Sequence, residues 1–60
     1  MQGIINKVHY WQNTQGAICI SLEDIKKFMT FESLDDAINW LYFNDYKTEA
    51  RHLNNVKKES

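Results

Sequence analysis

Only one cysteine, Cys19, occurs among the 60 residues. An intramolecular disulfide is therefore excluded, as is every four-cysteine zinc pattern, and a reducing compartment fits best. No stretch approaches the roughly 18 apolar residues that a membrane-spanning helix needs, and no basic segment followed by an apolar run marks export. The expectation is a cytoplasmic protein with no membrane partner. Proline is missing altogether, six of the seven basic residues are lysine, and Asn, Ile, Tyr and Phe are frequent. Such a bias suits an AT-rich coding sequence and is common among small phage and mobile-element chains, for which the compartment would be a host cytoplasm.

A strong net charge is lacking too. At −1 the chain is close to neutral, which argues against tight nonspecific binding to nucleic acid and equally against an acidic mimic of DNA. Length sets another bound. A single domain of this size buries only about 60% of the surface its unfolded chain would expose. With no disulfide framework its stability is thin, so self-association, most simply a dimer, or a protein partner is expected. Hydrophobic residues make up 43% and aromatic residues 13%. That is too apolar for a disordered chain and predicts one small domain over residues 1–60.

What is present reads as α+β: an N-terminal β-hairpin packed against one or two C-terminal helices. Residues 4–11 (IINKVHYW) and 17–22 (AICISL) are β-branched and aromatic runs on either side of a polar segment. Gly16 supplies the positive φ that the turn requires. Pairing Trp11 with Ala17 sets Tyr10 beside Ile18 and Val8 beside Ile20 on one face, with His9 opposite Cys19 and Lys7 opposite Ser21 on the other.

Residues 22–31 are open to two readings. Leu22, Ile25, Phe28 and Met29 fit a helical stripe behind Ser21, whereas IKKFMTF fits a short third strand. Ser33 favours the strand, because it is a good N-cap three residues before Asp36 and leaves Phe31 extended just ahead of it. Leu34, Ala37, Ile38 and Leu41 then form the apolar stripe of a helix running to about Phe43. Asn44 and Asp45 break the phase, and Tyr46, Ala50 and Leu53 begin a second, shorter helix. Residues 56–60 are polar and terminal and are expected to fray.

Two family resemblances arise from these segments. Lys27–Ile38 (KFMTFESLDDAI) looks like the strand, capped turn and helix of the hybrid-binding domain found at the N-terminus of some ribonucleases H, but the glycine and tryptophan pattern of that family's preceding hairpin is missing. AICISLEDI followed by SLDDAINWL resembles the strand and helices of ribbon-helix-helix repressors. There the outward strand positions read DNA, and here they hold Ala17, Cys19 and either Ile18 or Ile20, none suited to base edges. Neither resemblance assigns a family.

Candidate chemistry is sparse. The His9–Cys19 pairing would put a thiol beside a general base, but one hairpin offers neither a pocket nor an oxyanion site. No catalytic residue, metal site or cofactor is therefore expected. The histidines and the single cysteine also lack metal-ligand spacing, and Asp35 and Asp36 are explained by the positive end of their helix.

The surplus lies in aromatics. Trp40 and Phe43 fall off the helical core stripe, so either the second helix folds over them or they form an exposed patch. Trp11, with Ile5 and His9, stands on the outer hairpin face. These residues predict a protein-binding surface on a non-catalytic domain, of the kind that inhibits or modulates a host protein. The alternative is a dimeric nucleic-acid-binding or regulatory module. On the second helix Lys47, Arg51, Asn54 and Lys58 share one stripe, with His52 and Asn55 beside it, and this stripe could meet phosphates.

Overall fold

The computed structural model describes residues 1–59 and shows an antiparallel four-stranded sheet followed by two helices. The strands are β1 (Gln2–Ile5), β2 (Val8–Gln12), β3 (Ile18–Leu22) and β4 (Lys27–Phe31), paired in chain order. The helices are α1 (Leu34–Phe43) and α2 (Lys47–Glu59). The α+β architecture expected from the sequence is thus present, with four strands where two or three were anticipated.

The additional strand comes from a turn inside what reads as one run. Asn6 adopts φ +54°, a left-handed conformation that asparagine tolerates better than most residues. Ile5 then pairs with Val8 across the two-residue loop Asn6-Lys7. The turn moves Ile5 to the inner face of the sheet and gives Ile4 the outer place expected for Ile5. It also takes Lys7 out of the ladder, so Lys7 does not face Ser21.

The β2–β3 hairpin is closed by a loop organised around Asn13. Its side-chain Oδ1 accepts from the N–H groups of Gln15 and Ala17, both at 2.9 Å, and Gly16 sits at φ +88° as anticipated. The register pairs Trp11 with Cys19 and Tyr10 with Ile20, two residues from the expected one. Because side chains alternate with a period of two, this shift exchanges partners but preserves faces. Val8, Tyr10, Ile18, Ile20 and Leu22 all point into the core.

Residues 23–31 settle as a turn and strand. Lys26 takes φ +52°, and β4 runs back along β3 with Met29 opposite Ile20. β3 therefore leads into a hairpin and not into a helix, which removes the resemblance to ribbon-helix-helix proteins. Ser33 caps α1, its hydroxyl accepting from the Asp36 N–H at 3.2 Å. At the other end Asn44 and Asp45 stop the helix. Asp45 has φ +69°, and the Tyr46 N–H donates to the Leu41 carbonyl at 2.8 Å, which closes the turn into α2.

Both helices lie against the same face of the sheet. Ala37 and Leu41 from α1 and Ala50 and Leu53 from α2 are buried with the five inward strand residues. At roughly 1.5–3 kcal/mol per fully buried large side chain, this cluster is the main source of stability. Residues 56–59, expected as a frayed end, continue α2, because Val56 packs on the core. Ser60 lies outside the described residues.

Candidate functional site

Two helices cover one face of the sheet, and among the described residues nothing covers the other. On that open face β1 presents Gln2 and Ile4, β2 presents His9 and Trp11, β3 presents Cys19 and Ser21, and β4 presents Phe28 and Thr30, as the register dictates. Trp11 and Phe28 belong to strands two positions apart, whose backbones are about 9–10 Å from one another. Their rings nevertheless meet, with centroids 5.8 Å apart and planes tilted by 42°. The contact has to pass over β3, and the pair roofs the small residues there. This accounts for Cys19, which is only 4% exposed although it stands on the uncovered face.

Ile4, beside this roof, is 64% exposed and Phe28, part of it, 61%, and Trp11 is half-buried. His9 pairs in register with Ser21, not with Cys19, and its Nε2 lies 3.1 Å from a Glu23 carboxylate oxygen. The thiol and imidazole suggested by the sequence are therefore not partners. Neither lines the cleft of about 760 Å³ between one end of the sheet and the Ser33 and Val56 ends of the helices. Among the described residues no group of three or more His, Cys, Asp or Glu side chains could hold a metal ion, and no helix is long and apolar enough to cross a membrane.

The four aromatics of α1 and its connection divide. Trp40 packs on the core between Phe31, at 6.4 Å, and Tyr46, stacked at 6.1 Å. Trp40 is thus half-buried, and the residue stacked on it belongs to the connection ahead of α2. Phe43 is 80% exposed and touches Tyr42 edge-on at 5.7 Å. Tyr46 also reaches both Asp24 carboxylate oxygens, at 3.1 and 3.3 Å. Burial, then the hydrogen bond and charge of Asp24, and finally the charge of Glu49 raise its phenol above the usual tyrosine range.

The basic stripe on α2 keeps Lys47, Arg51 and Lys58 exposed and Asn54 half-buried. Lys47 sits over the Tyr42 ring at 5.7 Å, and Lys57 is tied to Asp35 of α1. His52 does not accompany the stripe. It turns to the sheet, where its Nε2 is 2.9 Å from the Tyr10 hydroxyl.

Sequence reasoning identified Trp11 and His9 but missed Ile4 and Phe28. Phe28 could have been found, since a β4 strand whose Phe31 and Met29 face inward must turn Phe28 outward. Compared with family models, curated proteins and solved structures, the chain matches none.

Proposed function

We propose that this chain is a small non-catalytic domain that docks on another protein through the open face of its sheet. The observation that supports the reading is the Trp11–Phe28 contact over β3, flanked by exposed Ile4 and rimmed by His9, Gln2 and Thr30. Aromatic anchors at the centre of an otherwise polar-rimmed patch are the usual carriers of interface energy. Two features favour binding over chemistry: Cys19 is shielded beneath the roof and His9 is engaged by Glu23.

The size of the face bears on the partner. Four strands at about 4.8 Å and some five residues at about 3.3 Å span roughly 300 Å². A second copy stacked on it would bury about 600 Å² in total, short of the ~1,200 Å² of a stable complex. A larger protein can also engage the rim, which favours a host protein over a homodimer and agrees with a modulator or inhibitor of phage or mobile-element type.

Affinity capture from host lysate tests the reading, using the wild-type chain and a Trp11→Ala/Phe28→Ala variant, each with and without nuclease. Retention of one stoichiometric protein by the wild type after nuclease, and its loss with the variant, is the expected result. Equal capture by the variant would overturn the proposed surface. Recovery that disappears with nuclease would move the function to nucleic acid.

A further inference from the structure

On the layer farthest from the open sheet face, α1 and α2 leave a cleft of about 310 Å³ lined by Ile38, Asn39, Tyr42, Ala50, Arg51 and Asn54. Its volume is at the lower end of the range for small-ligand sites. Its floor is apolar, from Ile38 and Ala50, and its rim is polar. Among the described residues no hydrogen bond or ion pair engages the Arg51 guanidinium, the Asn39 or Asn54 amides, or the Tyr42 hydroxyl. Four groups able to donate hydrogen bonds thus surround one small depression, with their capacity unspent inside the fold. Lys47, held over the Tyr42 ring, adds a second positive charge at the same edge.

We infer that this cleft binds a single phosphate monoester group. A phosphate monoester carries nearly two negative charges and three strong acceptor oxygens at neutral pH. The cleft offers one cation and three further donors, with Lys47 beside it on the Tyr42 ring, and the Arg51 fork suits bidentate contact with an oxyanion. The charge is also local. Lys57, farther along α2, is already tied to Asp35, and Asp45 stands two residues ahead of the helix. A nucleic-acid backbone needs a continuous positive track, and these carboxylates interrupt one. The surroundings therefore favour one compact anion over a polyanion. The site stands apart from the reading of the sheet face and does not depend on it.

Titration of the isotope-labelled full chain with inorganic phosphate at pH 7.5 tests the inference. The side-chain NH₂ signals of Asn39 and Asn54 and the Arg51 Nε–H signal should shift together and saturate, whereas an equal ionic strength of chloride should leave them in place. Arg51→Gln should weaken binding about tenfold or more, the loss expected of a charge-assisted pair worth about 1.4 kcal/mol. Asn39→Ala, also on the cleft, should weaken it less. Lys58→Gln, outside the cleft, should leave it unchanged.

Shifts that fail to saturate, or an affinity that survives Arg51→Gln in a folded variant, would overturn the proposal. So would equal loss with Lys58→Gln. Tight, strongly salt-dependent binding of a single-stranded oligonucleotide, with no saturable response to phosphate, would replace it with a backbone-binding stripe.

Discussion

Tyr10 lies directly across Gly3: a Cβ built on the glycine would stand 2.3 Å from the Tyr10 hydroxyl oxygen and 2.5 Å from the ring carbon Cζ. The absence of a side chain at position 3 lets the ring lie over β1 and carry its hydroxyl to His52 on α2, at 2.9 Å. One glycine thus permits a bond that ties sheet to helix.

Gly3→Ala should therefore destabilise the fold by about 1–3 kcal/mol, the usual cost of overpacking. For a domain this small, each kcal/mol lowers Tm by about 4–8 °C. Thermal or urea unfolding measures the change. Removing the hydroxyl with Tyr10→Phe should not rescue the variant, because the ring carbon would still be too close.

Trp11 and Phe28 roof Cys19, so the thiol should react slowly with an exposed-cysteine reagent in the native protein. Trp11→Ala should speed labelling by about tenfold or more, equivalent to losing ~1.4 kcal/mol of protection. An unchanged rate in a folded variant would mean that the roof does not shield the thiol.

Trp40 and Phe43, three residues apart on one helix, should behave oppositely. Trp40→Ala removes a ring packed between Phe31 and Tyr46 and should cost at least ~2 kcal/mol. Phe43→Ala removes a ring that is 80% exposed and should change stability by no more than about 0.5 kcal/mol. Chemical denaturation of the two variants provides the comparison.

Tyr46 sets an alkaline dependence. Burial, followed by the hydrogen bond to Asp24, raises its phenol in the folded state. A group raised above its unfolded value contributes stability that is fully present below the unfolded pKa, about 10. That contribution is lost as pH rises through the folded value. Ultraviolet titration of the tyrosines should show one late-ionising phenol that disappears in Tyr46→Phe and moves earlier in Asp24→Asn. The same variants should lose less stability than the wild type above pH 10.

Periodicity and local chemistry in the sequence determined much of this protein. The Leu34, Ala37, Ile38, Leu41 stripe, the Ser33 cap and the phase break at Asn44-Asp45 together defined α1 and the start of α2. Such features depend on residues three or four positions apart, so no distant contact is needed to read them. The inward alternation of Val8, Tyr10, Ile18 and Ile20 was legible for the same reason, and survived a two-residue error in register because strand faces repeat every two residues.

Tertiary structure decided what joins across distance. The Asn6 turn split one apparent strand into two, exchanging Ile5 for Ile4 on the open face. The path of β4 carried Phe28 to Trp11 above a third strand, the turn after α1 stacked Tyr46 on Trp40, and the fold of α2 turned His52 inward to Tyr10. Each outcome depends on which face of an element meets another, a choice made by collective packing of the core and not written into any single segment.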